Sequence, residues 1–324
     1  MSRQEVNGRS GLGLRAGTDP EPWQIRLFRK SIKKKRTLKA ILDLLPPVDG
    51  KRCLEIGCAT GLTSYFLRRR GGNWLSIDFE SDHVASAKLL VGEGVQLMGE
   101  ERIDLPAESV DVLVGINFLE HLQNDHQYFT EMARVLRPGG TFILTGPKGE
   151  RGRPAYWLKR LYGFTSECGG FGHARDGYEP SALRTMLHEA GFRSIEIRTY
   201  SKFFTEVVED TLNFFYYRLS TGRRNGGSSR VGWRQHRPAA RDESRAEEAH
   251  GKPMAETTSD FHGNTAPMSK EAFQKVGKAF RAYSLIFPFL NALAVMDALL
   301  PGREAGYMFV CRATKMQRGE VGRQ

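Results

Sequence analysis

Between residues 50 and 147, short apolar runs with strand character alternate with segments whose apolar residues recur at helical spacing. Alternation of this kind, with short connections, is typical of a parallel sheet covered by helices. The segment after Arg137, PGG, predicts the end of one helix and the start of the next strand. The pattern therefore predicts an α/β domain. Its strands are KRCLEIG, NWLSIDF, VQLMGE, SVDVLVGIN and GTFILTGP, and its helices are LTSYFLRRR, SDHVASAKLLV and DHQYFTEMARVLRP.

Further elements flank this region. A basic segment, WQIRLFRKSIKKKRTLKAILDLL, has apolar residues at helical spacing and predicts one helix that ends at Pro46-Pro47. Downstream, a helix that ends at a Gly, a strand, a second helix and a helical run over 269–300 lead to a last strand. These downstream elements are SALRTMLHEAGF, RSIEIRTY, EVVEDTLNFFYYRL and, for the last strand, GYMFVCRAT.

Changes in composition along the chain predict how it is divided into a domain, an insertion and two tails. Residues 220–266 are poor in aliphatic side chains and rich in Gly, Arg and Glu, so they predict a disordered insertion. The expected parts are a flexible tail over 1–22, a domain over 23–219 that includes the basic helix, the insertion over 220–266, a C-terminal helix and final strand over 267–314 that complete the same domain, and a tail over 315–324.

Lys and Arg outnumber Asp and Glu, 48 against 37, which gives a formal charge of +11. That excess suits a nucleic acid, an anionic membrane face or an acidic substrate, and it equally suits a solvated surface with basic tails. The apolar run 283–301 contains Pro288, Asn291 and Asp297, and is short of the ~20 clean apolar residues of a spanning helix.

The four cysteines contain no C-x-x-C pair, so the sequence indicates neither a zinc site nor a disulfide framework. The polar, Gly-rich N-terminus is not typical of a signal peptide. A cytoplasmic location is therefore expected, with a peripheral place at the inner membrane face left open.

The stretch CLEIGCATG, residues 53–61, ends a predicted strand with two glycines four positions apart. Glycines at such a turn let backbone N–H groups approach a ligand at the start of the next helix. The nicotinamide fingerprint G-x-G-x-x-G is not matched, because Ala59 and Leu62 occupy two of its glycine positions. A P-loop is not matched either, because no Lys follows Gly61.

The order acidic-x-Gly-x-Gly-x-Gly fits better, with Glu55, Gly57, Ala59 and Gly61, and an alanine at the middle glycine. It resembles motif I of the class I S-adenosylmethionine-dependent methyltransferases. The segments SIDFES, GEERIDLPAESVDVLV, INFLEHLQND and RVLRPGGTFIL follow in the family's order over about residues 50–147, most similar to its type 11 branch. The resemblance implies a Rossmann-like methyltransferase fold: a mostly parallel seven-stranded sheet with helices on both faces and an antiparallel last strand.

The resemblance also implies a cofactor site for S-adenosylmethionine. Asp78 would accept hydrogen bonds from the ribose hydroxyls, Phe79 would contact the adenine, and Glu101, or Glu100 beside it, would bind the adenine amino group. A carboxylate beside the turn also suits the cationic sulfonium and amino groups of this cofactor. The implied cofactor residues are Glu55, Gly57, Ala59, Gly61, Asp78, Phe79, Glu101 and Asn117.

Two histidines are candidates for chemistry at the acceptor. His121 follows the fourth strand, and His173 lies in a Gly-rich, aromatic segment where an imidazole can remove a proton near neutral pH. Arg175 and Tyr178, in the same segment, would either grip an anionic acceptor or hold the loop in place.

The expected reaction is methyl transfer to a small-molecule, lipid-linked or saccharide-like acceptor. Alternatives are an RNA or DNA methyltransferase, and a non-catalytic cofactor-binding or membrane-associated protein. A nucleic-acid acceptor is not favoured, because the basic residues cluster in one helix and the insertion. The basic helix is either a lid that touches an anionic surface or a solvated face, and 283–300 either packs in the core or faces a membrane or lipid acceptor. Peripheral membrane contact is thus expected through 26–39 or 283–300.

Overall fold

A computed structural model describes residues 21–99, 102–122, 124–149, 177–221, 277–302 and 305–317. Most of the predicted N-terminal tail, nearly all of the predicted insertion 220–266 and most of the C-terminal tail lie outside these residues. The proposed domain boundaries therefore stay predictions.

Seven strands and eight α-helices are described. The strands are β1 (Arg52–Ile56), β2 (Asn73–Asp78), β3 (Val95–Leu97), β4 (Val110–Ile116), β5 (Leu136–Pro147), β6 (Phe192–Tyr200) and β7 (Met308–Lys315). The helices are α1 (Trp23–Arg29), α2 (Ile32–Leu44), α3 (Leu62–Arg68), α4 (Ser81–Val91), α5 (Asp125–Val135), α6 (Pro180–Glu189), α7 (Phe203–Thr221) and α8 (Gly277–Val295). Two short 3₁₀ helices cover Leu119–His121 and Met296–Leu299.

The strands form one sheet in the order β3-β2-β1-β4-β5-β7-β6. Neighbours from β3 to β5 are parallel, and β7 is antiparallel to both β5 and β6. This confirms the predicted Rossmann-like sheet with its antiparallel last strand. From β1 the chain adds β2 and β3 on one side of the sheet, and it then continues with β4 and β5 on the other side of β1. The gap between the carboxyl ends of β1 and β4 is therefore the topological switch point of the sheet, and ligands of such sheets bind there.

Helices cover both faces of the sheet because successive side chains of each buried strand point to opposite sides. On one face, Leu54 and Ile56 belong to a buried cluster with residues of α5 and α6, such as Phe129 and Leu183. On the other face, Cys53 belongs to a second cluster with residues of α2 and α3. The alternation seen in the sequence thus becomes a three-layer core.

Two local predictions were wrong in detail. The basic segment forms two helices rather than one, because the Ser31 side chain accepts a hydrogen bond from Lys34 N at 3.3 Å and caps the start of α2. The Pro-Gly-Gly segment is not a turn that precedes the strand. It lies within β5, where the pairing register with β4 shifts between Val110 and Val112 and Gly139 takes a φ of +74°.

Asp297 joins the C-terminal helix to the rest of the domain. Its carboxylate is buried and accepts hydrogen bonds from the backbone N–H groups of Lys202, Phe204 and Thr205, at 2.7, 2.8 and 3.3 Å. It also accepts from the Thr205 hydroxyl and forms an ion pair with Arg36 Nη1, both at 2.6 Å. One carboxylate therefore satisfies the N-terminal donors of α7 and ties α2 to the end of α8.

Substitution of this carboxylate tests that role. We expect Asp297→Ala to lower the free energy of unfolding by about 3–5 kcal/mol, because a half-buried guanidinium and several buried donors lose their partner. Asp43→Ala, which removes a solvent-exposed pair with Lys39, is the control and is expected to cost about 0.5 kcal/mol or less. Urea titration measures both, and equal losses would contradict the assigned role.

Candidate functional site

The loop Gly57–Gly61 links β1 to α3 at the switch point. Gly57, Ala59 and Gly61 all have positive φ, at +80°, +48° and +81°. A Cβ on Gly57 would lie 2.6 Å from Ile116 O, so the glycine lets the loop pass directly beside the end of β4. A Cβ on Gly61 would lie 2.7 Å from Ala87 Cα, so that glycine is required by packing of the loop against α4.

Asp78, at the carboxyl end of β2, is hydrogen-bonded to this loop. Its Oδ2 accepts from Ala59 N at 2.8 Å, and its Oδ1 accepts from Glu80 N at 3.2 Å. The Nδ1 of His83 lies 2.8 Å from Oδ1. A carboxylate has about four acceptor positions, so these three contacts leave room for a further donor such as a ribose hydroxyl.

His83 was not singled out from the sequence. Burial lowers the pKa of its imidazole, but the hydrogen bond and charge of Asp78, with the charges of Glu80 and Asp82, outweigh burial and raise it. The contact between His83 Nδ1 and Asp78 Oδ1 fixes the orientation of the carboxylate. The sequence signal was modest: a histidine in the first turn of the helix that follows the acidic strand end.

Glu55 lies in β1, two residues before Gly57. Its side chain is fully buried, and Oε2 accepts from the hydroxyls of Ser64 on α3 and Ser76 on β2, the latter at 2.6 Å. Burial raises the pKa of this carboxyl, and the two hydroxyls and Arg68 oppose that rise. In the structure this carboxylate links α3 to β2, on either side of the loop in sequence, and its predicted contact with the cofactor stays a prediction.

The ends of β2 and β4 contribute aromatic and amide groups beside the loop. The ring of Phe79 lies 6.3 Å from that of Phe118 and 5.9 Å from that of Tyr128. Asn117 has a φ of +45°, and its Oδ1 accepts from the Thr145 hydroxyl at 3.0 Å. Phe79 and Asn117 thus lie at the same edge of the sheet as Asp78, as the sequence predicted for their position.

The structure does not test the roles predicted for three further residues. Glu101, its alternative Glu100 and His173 lie outside the described residues. His121 ends the short 3₁₀ helix and is exposed at the surface. The roles predicted for Glu101, His121 and His173 stay predictions.

Tyr178 was left open between acceptor binding and loop anchoring. It is buried, and its hydroxyl donates to Asp125 Oδ2 at 3.0 Å. In the structure this side chain anchors the chain segment that leads into α6.

Glu120, next to His121, is a second residue that sequence reasoning missed. Its side chain is buried, and burial raises the pKa of its carboxyl to about 7, against the lowering effects of a backbone hydrogen bond and of Lys33. Its Oε2 has no hydrogen-bond partner among the described residues. The sequence signal was weak, because a Glu in the run FLEHL is ordinarily a solvated helix residue.

Three observations indicate that the residues present can bind the nucleoside of S-adenosylmethionine. The loop passes so close to β4 that a Cβ at Gly57 is excluded, Asp78 has acceptor capacity left, and Phe79 and Phe118 supply apolar ring surface. In addition, Glu55 Oε1 is a buried acceptor with no hydrogen-bond partner in the described structure. Among the described residues the site is acidic and partly aromatic, and the loop carries no lysine, which suits a cationic nucleoside.

Sequence comparison supports this assignment. Residues 54–144 match the type 11 model of the methyltransferase domain. The chain is 28% identical over 165 residues to a ubiquinone biosynthesis O-methyltransferase of Maricaulis maris, covering 45% of this chain and 60% of that protein. It is 27% identical over 168 residues to a probable S-adenosylmethionine-dependent methyltransferase of Mycolicibacterium smegmatis, covering 52% of this chain and 56% of that protein.

The chain therefore spans little more than half the length of these curated relatives. Among solved structures, phosphoethanolamine N-methyltransferase 2 of Haemonchus contortus, bound to S-adenosyl-L-methionine, aligns with a TM-score of 0.49 and 14% identity, covering 87% of this chain and 52% of that one. A possible histamine N-methyltransferase of Thermotoga maritima aligns with a TM-score of 0.46 and 23% identity, covering 55% and 81%.

The sequence match and the sheet order agree on one class. Residues 54–144 are similar to the methyltransferase domain, and together with the sheet order they support a class I S-adenosylmethionine-dependent methyltransferase fold with S-adenosylmethionine as its cofactor.

Asp78 gives the sharpest test of the cofactor site. We expect Asp78→Asn to weaken binding of S-adenosylhomocysteine about 10- to 100-fold in calorimetry, because hydrogen bonds to a charged acceptor contribute about 1.5–3 kcal/mol. The control is Asp82→Asn, an exposed carboxylate one turn further along. Unchanged binding in a folded Asp78→Asn variant would contradict the site.

The buried Glu120 carboxyl predicts a pH dependence of stability. Its pKa in the folded protein is about 7 and its ordinary value is 4.5, so the folded state binds the proton more tightly. The stabilisation from this group is complete below 4.5 and is lost as pH rises to about 7. At pH 8 we therefore expect Glu120→Gln to be more stable than the wild type by about 3 kcal/mol, and this advantage to shrink as pH falls.

Urea titrations of both proteins between pH 4.5 and 8 measure this difference. The control is Glu189→Gln, which replaces an exposed carboxylate and should leave the pH profile unchanged. A stability difference between wild type and Glu120→Gln that does not vary with pH would contradict the buried, protonated state.

Proposed function

We propose that this protein transfers a methyl group from S-adenosylmethionine to a hydroxyl oxygen of a small-molecule, lipid-linked or saccharide-like acceptor. The observation that carries the proposal is the hydrogen bond from Ala59 N to Asp78, which joins the glycine loop to the acidic end of β2 at the switch point. When bound, S-adenosylmethionine supplies a methyl group activated by its positive sulfur. The chain's own task is then to hold and orient the two reactants, and orientation of this kind can supply several kcal/mol of the barrier.

The residues that would hold the cofactor are those of the loop Gly57–Gly61 with Asp78, Phe79 and Asn117. Asp78 is fixed by His83 and by two backbone donors, so it presents its remaining acceptor capacity without rearrangement. Glu55 supports the loop through Ser64 and Ser76. A preorganised site of this kind costs little ordering on binding.

Oxygen is favoured as the acceptor atom on two grounds. The relative from Maricaulis maris, like a second from Dechloromonas aromatica, is named as an O-methyltransferase of ubiquinone biosynthesis. In this chain Glu120, just after β4, is a carboxylate with a pKa near neutrality and an unpartnered oxygen. A base whose pKa lies near the working pH removes a hydroxyl proton effectively.

Glu120 is therefore our candidate general base, ahead of the two histidines predicted from the sequence. Burial raises its pKa to about 7, so the carboxyl is partly protonated at pH 7 and is ionised at higher pH. Proton removal from the acceptor should therefore increase with pH. His121, its exposed neighbour, is the alternative base on the same short helix.

Methyl transfer itself tests the proposal. Purified protein with S-adenosylmethionine is incubated with hydroxylated quinols, phenols and saccharides, and mass spectrometry detects the addition of one methyl group. We expect product with at least one hydroxylated acceptor, and loss of that product in Asp78→Asn. Glu120→Gln is expected to lower the rate about 10²- to 10⁴-fold and to remove the rise of rate near pH 7.

His121→Gln is the matched control and should keep the pH profile of the wild type. If His121→Gln loses the rise near pH 7 and Glu120→Gln keeps it, the base is assigned to the wrong residue. Cofactor binding without methylation of any oxygen, nitrogen or carbon acceptor would favour the non-catalytic alternative.

A further inference from the structure

The outer side of α8 is apolar and uncovered in the described structure. Six of the eight large hydrophobic side chains that are exposed among the described residues lie in α8 and the 3₁₀ turn after it. Leu285 is 84% exposed and Phe289 is 74% exposed. We call this surface the α8 outer face, and its members are Leu285, Ile286, Phe289, Val295, Met296 and Leu299.

The inner side of the same helix is attached to the domain. Phe287 and Ala294 are buried in a cluster with Ile32 of α2 and Val208 of α7. Tyr283 donates a hydrogen bond to Lys30 O at 2.5 Å. In the described structure the helix is therefore apolar on both sides, but only one side packs against the domain. The contact with a membrane or lipid acceptor that the sequence left open stays a prediction.

By length and composition, Phe280–Leu299 is the one helix of the described residues that could cross a membrane, with a mean hydropathy of 1.5 and 17% of it buried. Its attachments favour a helix that lies along the domain. Asp297, inside this stretch, is buried in the polar contacts with Arg36 and the start of α7, and β7 downstream of it is paired on both sides, with β5 and β6. A charged, tightly held end of this kind is costly inside a bilayer.

Cations flank α8 on the side of α1 and α2. The segment Trp23–Leu44 carries eight Lys or Arg residues and one acidic residue. Lys30 Nζ and Lys35 Nζ lie 5.0 and 5.1 Å from the centre of the Phe287 ring, which belongs to the inner side of α8, and Arg281 is exposed near the start of the helix. An apolar helix face beside a row of cations is typical of proteins that lie at an anionic membrane interface.

We propose that the α8 outer face docks on the surface of an anionic lipid bilayer, with the helix in the plane of the interface and the cations of α1 and α2 against the headgroups. The proposal goes beyond methyl transfer and does not require it. It would also bring the domain to a membrane in which a lipid-linked acceptor resides.

Two other occupants fit less well. Residues 222–276, which precede α8, contain no Leu or Ile, so their sequence offers little aliphatic surface to cover this face. A second copy of the chain would bring two basic α1–α2 segments close together, and like charges in proximity oppose association. Of these three occupants, an anionic bilayer matches both the apolar area and the charge.

Vesicle flotation of the full chain tests the proposal. One set of vesicles is phosphatidylcholine alone, and the other is phosphatidylcholine with phosphatidylglycerol. We expect the wild type to float with the anionic vesicles. Leu285→Gln/Phe289→Gln should bind them about 10- to 100-fold more weakly, because the variant lacks two apolar side chains that the wild type would bury in the bilayer interface. Lys30→Gln/Lys35→Gln should weaken binding on the order of ten-fold.

Leu89→Gln is the matched control, since Leu89 on α4 is 85% exposed and lies away from α8 in the fold. It should bind vesicles as the wild type does, and all variants should keep the wild-type melting temperature. A Phe289→Trp variant adds a positive signal: its fluorescence should shift to the blue with anionic vesicles and be quenched by brominated acyl chains.

The proposal is overturned if the wild type floats with neither vesicle, or if Leu285→Gln/Phe289→Gln floats as well as the wild type. It is also overturned if light scattering shows a wild-type dimer that this double variant converts to monomer, because the face would then join two copies. Calorimetry with S-adenosylhomocysteine on the same samples separates this failure from a failure of the proposed function, since cofactor binding does not involve the α8 outer face.

Discussion

The hydrogen bond between the Ala59 amide and the Asp78 carboxylate is the constraint on which the site depends. It holds the turn after β1 against the end of β2, where Gly57 and Cys58 also donate to Ile77 O at 3.0 and 3.2 Å. The loop is therefore fixed on its β2 side by three donors, and on its β4 side by the close approach to Ile116. The carboxylate that would meet a ligand is thus the group that shapes the loop, so loop geometry and ligand chemistry depend on the same residue.

Buried carboxylates have a different role away from the loop, where they connect helices to one another. Asp297 connects α2, α7 and α8, and Glu209 of α7 accepts from Lys33 N of α2 at 2.8 Å. These contacts attach helices that lie outside the segment matched by the methyltransferase family. They also place the basic helix α2 beside α8. The side chain of Lys33 on this helix lowers the pKa of Glu120, so α2 is electrostatically coupled both to that carboxylate and to the contacts around α7 and α8.

Much of the site was predictable because it consists of consecutive residues in short motifs. The loop glycines, Asp78, Phe79 and Asn117 follow strands whose parallel arrangement is visible as alternation, and parallel strands bring their carboxyl ends together. The partners of those residues were not predictable in the same way. His83 and Ser64 contact the acidic residues only because α4 and α3 fold back over the strands, and Ser76 meets Glu55 because β1 and β2 pair in that register. Glu120 is distinguished from an ordinary surface glutamate only by its burial.

The sequence by itself determined the strand and helix order, the fold class and the cofactor class, because these follow from local periodicity and from a motif within about thirty residues. The tertiary structure decided how each charged group is used. Glu55 has the residue type of a ligand but is enclosed by Ser64 and Ser76, and α8 has the composition of a core helix but leaves one side to solvent. Burial depends on what distant segments cover, and that information is absent from any short stretch of the chain.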